Sequence, residues 1–65
     1  MPIITITQTP GKDRPVKEEI LKQVTDAYVA ASGATPSSVW VTITEVDGES
    51  WSIGGETLAQ RAASR

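Results

Sequence analysis

The sequence predicts an α+β fold: a βαβ unit with two parallel strands, one long helix and a C-terminal short hairpin, completed by oligomerisation. Two runs rich in β-branched residues, "PIITIT" and "VWVTITEV", flank a stretch of helical periodicity over residues 13–32. Two strands joined through a helix of that length form a right-handed crossover, which makes the strands parallel. Two strands are too few to stand alone, and a 65-residue chain with no cysteine has no disulfide to help them.

In "PIITIT" the β-branched Ile3, Ile4, Thr5, Ile6 and Thr7 suit a pleated surface, with Ile4 and Ile6 on one face and Ile3, Thr5 and Thr7 on the other. Pro10-Gly11 then signals a turn. The helix begins at Asp13, a good N-cap, and tolerates Pro15 in its first turn. Its apolar stripe is Val16, Ile20, Val24, Ala27, Tyr28 and Ala31, Glu18 and Lys22 are spaced to pair on the exposed side, and Gly33 is placed to end it. Thr35 and Pro36 suit one tight helical turn before the second strand. That strand sets Val39, Val41 and Ile43 on one face and Trp40, Thr42 and Thr44 on the other. "DGESWSIGGE", with Gly48, Gly54 and Gly55, reads as a short hairpin or ordered loop, and "TLAQRAASR" as a weak helix or a frayed tail. The whole chain, residues 1–65, reads as one domain.

The charge balance narrows the possible partners. Six Lys plus Arg against eight Asp plus Glu give a net charge of −2, and the pI lies near 4.8. That argues against a surface that neutralises many phosphates, so no nucleic acid is expected. No stretch approaches the roughly 18 apolar residues of a membrane span, and the first seven residues lack the features of a signal peptide, so a cytoplasmic protein with no membrane partner is expected.

With no histidine and no cysteine, zinc fingers, thiol nucleophiles and imidazole bases are excluded together. The acids and bases that remain are eight carboxylates, three lysines, Tyr28 and the amino terminus. The carboxylates are dispersed and form no metal-loop pattern, so no metal is expected, and Glu45 reads as a strand-end salt-bridge partner. Pro2 has two readings. It can simply start an edge strand, where its missing N–H costs nothing. Alternatively, removal of Met1 frees its ring nitrogen as a secondary amine, and an apolar wall or a nearby cation would favour the neutral, basic form.

The chain resembles the 4-oxalocrotonate tautomerase family over nearly its whole length. The resemblance rests on Met1-Pro2 before a β-branched strand, a glycine and a cation at Gly11-Lys12 before the helix, the βαβ order, "TITE", the aromatic Trp51 six residues after Glu45, and "IGGE". It implies an isomerase: an enol–keto tautomerase acting on a 2-hydroxy-dienoate or related enol acid, without cofactor. Pro2 would be the general base, Lys12 would bind the substrate carboxylate, and Trp51 would wall the pocket. The resemblance also implies a homo-oligomer, a hexamer built as a trimer of dimers, with each Pro2 in a pocket completed by a neighbour.

Two departures from the family pattern bear on the site. Lys12 stands where the family commonly has arginine, so a point charge replaces a planar bidentate fork, and Arg14 is near enough in the turn to share the role. Trp40 stands where the best-known members carry a second arginine, so polarisation of the substrate oxygen would fall to Arg14, Arg61 or backbone N–H groups. Trp40 could fill a subunit interface or line the pocket. A tryptophan there favours a monoacid or aromatic enol over a dicarboxylate. Ser52 also replaces a common glycine. Two other functions fit the chain: a dehalogenase or hydratase relative using Glu45 or Glu49 on an unsaturated acid, and a non-catalytic oligomeric binding protein of the same fold.

Overall fold

The computed structural model describes residues 1–63. Strand β1 is Ile3–Gln8, helix α1 is Arg14–Ser32, and strand β2 is Trp40–Glu45. The strands are parallel and in continuous register from Ile3 opposite Trp40 to Gln8 opposite Glu45. The predicted crossover is therefore present, with α1 returning the chain from the Gln8 end to the Trp40 end.

The helix starts and stops as its sequence dictates. The Asp13 carboxylate accepts from the Val16 N–H at 3.3 Å, satisfying one of the free donors of the first turn, and Pro15 sits where no N–H is needed. Gly33 adopts φ 75°, ψ 9° and donates its N–H to the Val29 carbonyl at 2.9 Å, closing the helix in a left-handed conformation that other residues adopt at a cost. A tight turn at Pro36–Ser38 then leads into β2.

The helix face that meets the sheet differs from the expected stripe. Ile20, Val24 and Tyr28 are half-buried as predicted, and Lys17, Leu21, Thr25 and Val29 join them, while Val16, Ala27 and Ala31 are exposed. The apolar arc of α1 is wider than one packing surface, and the larger Leu21 and Val29 take the sheet side in preference to the alanines. On the outer flank, Pro15, Val16, Glu19, Ile20 and Gln23 line an open groove of about 330 Å³. The expected Glu18–Lys22 pair does not form. Glu18 accepts from Arg14 at 2.7 Å and Lys22 donates to Asp26 at 2.6 Å, each the i,i+4 neighbour on the other side.

Beyond β2, a turn at Gly48–Ser50 leads to an antiparallel hairpin, β3 (Ser52–Ile53) and β4 (Glu56–Thr57), and then to a short helix α2 (Leu58–Ala63). Gly54 and Gly55, at φ 62° and 90°, form the two-residue turn, whose positive φ angles match the twist of the flanking strands. Ser52 is part of extended β3, and no non-glycine residue has positive φ among those described, so the missing glycine leaves the backbone unstrained. Thr57 and Gln60 start α2 with a reciprocal cap: the Gln60 N–H donates to the Thr57 hydroxyl at 3.0 Å and the Thr57 N–H to the Gln60 side-chain oxygen at 2.8 Å. The expected weak helix therefore forms over Leu58–Ala63, and the last two residues of that stretch lie outside the described range.

Packing falls into two groups. β1, β2, α1 and the Pro36–Ser38 turn form the body, and the Gly48–Ser50 turn, β3, β4 and α2 form an arm that packs chiefly on itself. No described side chain is fully buried. The radius of gyration is 15.2 Å, against about 11 Å for a compact chain of this length. The accessible surface is 4830 Å², against about 4,000 Å² for a compact monomer of this mass.

Candidate functional site

Pro2 lies at one end of the sheet, and its neighbours there are apolar. Its carbonyl oxygen accepts the Trp40 N–H at 3.0 Å, one step before the Ile3–Trp40 register pair. Ile3 and Trp40 both project from the sheet face opposite α1 and are 63% and 52% exposed. The alternation predicted for Trp40 against Val41 is thus observed: Trp40 is bonded through its N–H to the Pro2 carbonyl and carries its indole on a face open to a neighbour or a ligand, while Pro2 is half-buried. Met1 is 82% exposed, leaving the bond before Pro2 accessible.

Lys12 and Arg14 lie at the other end of β1. Six residue steps separate Pro2 from Gln8, or about 20 Å at the usual rise of a strand. No single copy of the chain brings these cations to Pro2. Gly11, at φ 134°, turns the chain there and presents Lys12 outside both β1 and α1.

The cations differ in what already engages them. The Arg14 guanidinium is held by Glu18, both Glu45 oxygens accept from the Lys17 ammonium at 3.0 Å, Lys22 is held by Asp26, and Arg61 lies 3.9 Å from Glu56. Among the described lysines and arginines, only Lys12 has no carboxylate partner. Lys12 and Arg14 therefore differ in availability, because an anion reaching Arg14 must compete with Glu18. Glu45 is the strand-end partner its position implied, tying the first turn of α1 to the end of β2.

Trp51 is half-buried between the Gly48–Ser50 turn and β3, and its carbonyl accepts the Leu58 N–H at 2.8 Å. It belongs to the arm and is tied to α2, on the Gln8 side of the sheet, where the Val46 N–H bonds the Gln8 carbonyl at 2.9 Å. The five residues singled out from sequence thus fall into three places: Pro2 with Trp40, Lys12 with Arg14, and Trp51 on the arm. Lys17 was missed by sequence reasoning as the partner of Glu45. Its position one step from Val16, on the edge of the apolar arc, was the available signal. Among the described residues, no three acidic, histidine or cysteine side chains gather as metal ligands would.

Comparison with known proteins agrees with this geometry. The model of the tautomerase enzyme family matches residues 2–61. A 2-hydroxymuconate tautomerase of Pseudomonas putida is 36% identical over 55 residues, covering 85% of this chain and 87% of that protein. Among solved structures, a 4-oxalocrotonate tautomerase isozyme from Methylibium petroleiphilum superposes with a TM-score of 0.94 at 30% identity, covering 98% of this chain and all of the other. A heterohexameric 4-oxalocrotonate tautomerase from Chloroflexus aurantiacus superposes with a TM-score of 0.85 at 28% identity, covering 92% and 97%.

Proposed function

Because the chain belongs to the tautomerase enzyme family, we propose that it is an enol–keto isomerase in which the amino terminus of Pro2, freed by removal of Met1, is the general base. The ring nitrogen takes the proton of the enol hydroxyl, and the O–H bonding pair becomes the carbonyl π bond. The C=C pair then takes that proton back at carbon. Nothing is oxidised or reduced, and no cofactor is needed. Lys12 binds the substrate carboxylate, Trp51 walls the pocket and Trp40 lines it, while Arg14, held by Glu18, has a minor part.

The observation that carries this reading is that Pro2 and Lys12 lie beyond opposite ends of β1, with Pro2 and Gln8 about 20 Å apart. A base and a cation that serve one small enol acid must then come from different copies. The exposed Ile3, Trp40, Val16 and Ile53 and the large surface of the isolated chain favour the same conclusion. We read the assembly as a homo-oligomer, a hexamer after the pattern of the Chloroflexus relative, with cytoplasmic localisation; no described helix is long and apolar enough to cross a membrane.

The test is a pH–rate profile for ketonisation of a simple enol acid, with intact mass measured on the same sample. Loss of Met1, a rate limb set by a group titrating below the ordinary α-amine value of about 8, and disappearance of that limb in Pro2→Ala are expected. Equal rates for wild type and Pro2→Ala would remove Pro2 from the mechanism.

A further inference from the structure

The end of the body that holds Pro2 contains no charged side chain. Residues 1–11 and 27–44 include no Asp, Glu, Lys or Arg, and these segments supply β1, the last turns of α1, the connection to β2 and nearly all of β2. The C-terminus of α1 also lies at this end, and its partial negative charge offers an anion nothing. What this end does offer is apolar surface: Trp40 and Ile3 side by side, both more than half exposed.

From the charge-free Pro2 end and the single carboxylate-free lysine, we propose that the site takes a monocarboxylate enol with an apolar or aromatic tail. The carboxylate sits on Lys12 of one copy and the tail on Trp40 and Ile3 of another. This rests on the tautomerase reading of Pro2 and Lys12 and adds to it the substrate's charge and its direction in the site. A second carboxylate would have to give up its hydration against indole and isoleucine with no cation to receive it, and that cost is the basis of the selectivity. Trp40 is then the specificity-determining residue.

The experiment compares kcat/KM for phenylenolpyruvate, a monoacid with an aryl tail, and 2-hydroxymuconate, a dicarboxylate, in wild type, Trp40→Phe and Trp40→Arg. Wild type and Trp40→Phe are expected to prefer the monoacid by about tenfold or more, and Trp40→Arg to move the ratio by at least about tenfold toward the dicarboxylate. A wild-type preference for the dicarboxylate, or an unchanged ratio in a folded Trp40→Arg, would overturn the proposal. Pro2→Ala, run with both substrates, keeps the two claims apart: rates equal to wild type remove Pro2 as base while leaving the preference readable. Titrating wild type with cinnamate and with muconate, read by its tryptophan fluorescence, needs neither turnover nor a variant. Cinnamate should bind about tenfold tighter or better, and equal affinities would overturn the proposal.

Discussion

The Trp40 N–H donates to the Pro2 carbonyl at 3.0 Å, so the residue that begins β2 fixes the residue that precedes β1. The tether belongs to the backbone of Trp40, separately from any role of its indole. Trp40→Ala keeps the hydrogen bond and Trp40→Pro removes it. Val39, at φ −95° and ψ 121°, already has the conformation a following proline demands, and proline is tolerated at the first position of a strand. With far-UV circular dichroism unchanged, Trp40→Pro is expected to lower kcat about tenfold further than Trp40→Ala, because the base is no longer held in place. Equal kcat values would show that the tether does not position Pro2.

Lys12 and Arg14 should separate cleanly in steady-state kinetics. Removing a charge-assisted hydrogen bond to the substrate carboxylate costs about 1.5–3 kcal/mol, so Lys12→Ala is expected to lower kcat/KM by roughly tenfold to a hundredfold. Lys12→Arg should match or exceed wild type, because the planar fork suits a carboxylate better. Arg14→Ala is expected within about threefold of wild type, since Glu18 already occupies that guanidinium. If Arg14→Ala costs as much as Lys12→Ala, the carboxylate site is shared.

The Lys17–Glu45 pair is structural. Its side chains are 33% and 32% exposed, so it should couple more strongly than the open pairs on α1 while remaining screened by salt. A double-mutant cycle with Lys17→Met and Glu45→Gln, measured by denaturation at fixed protein concentration, is expected to give a coupling of up to about 1 kcal/mol that falls in high salt. The preference between substrates should not move.

Gly33 should resist substitution for conformational reasons alone. A Cβ there meets nothing within 4 Å, but φ is +75°. Gly33→Ala is expected to cost about 1–2 kcal/mol, and Gly33→Asn less, because asparagine tolerates the left-handed region. Thermal melts at one protein concentration check the order of the two variants.

Loss of the α2 cap should act on the arm. Thr57→Ala removes the hydroxyl that receives the Gln60 N–H, at a cost of about 1 kcal/mol. Hydrogen exchange is expected to quicken in residues 58–63 while protection in α1 is unchanged.

Much of the fold was legible because local chemistry specifies it. Asp13, Pro15 and Gly33 delimit α1 through hydrogen bonds within a few residues, and Gly54-Gly55 sets the hairpin through φ alone. The candidate site was legible only as a set of residue types. Lys17 escaped notice because its carboxylate partner is 28 positions away, and Glu18 and Lys22 each had two i,i+4 partners between which spacing cannot choose. The side of α1 that meets the sheet was misjudged for a similar reason: apolar periodicity marks a wide arc, and only the opposing strand selects which part is covered.

By itself the sequence determined the βαβ order, the caps and turns, and the elimination of every imidazole and thiol mechanism, because these depend on composition and near neighbours. The tertiary structure decided the rest. The parallel register put the Trp40 backbone beside Pro2, and the length of β1 set Lys12 beyond its far end. Ion pairing left that lysine alone among the described cations without a carboxylate. These are relations between residues far apart in the chain, and they arise only once the backbone brings some groups together and holds others apart.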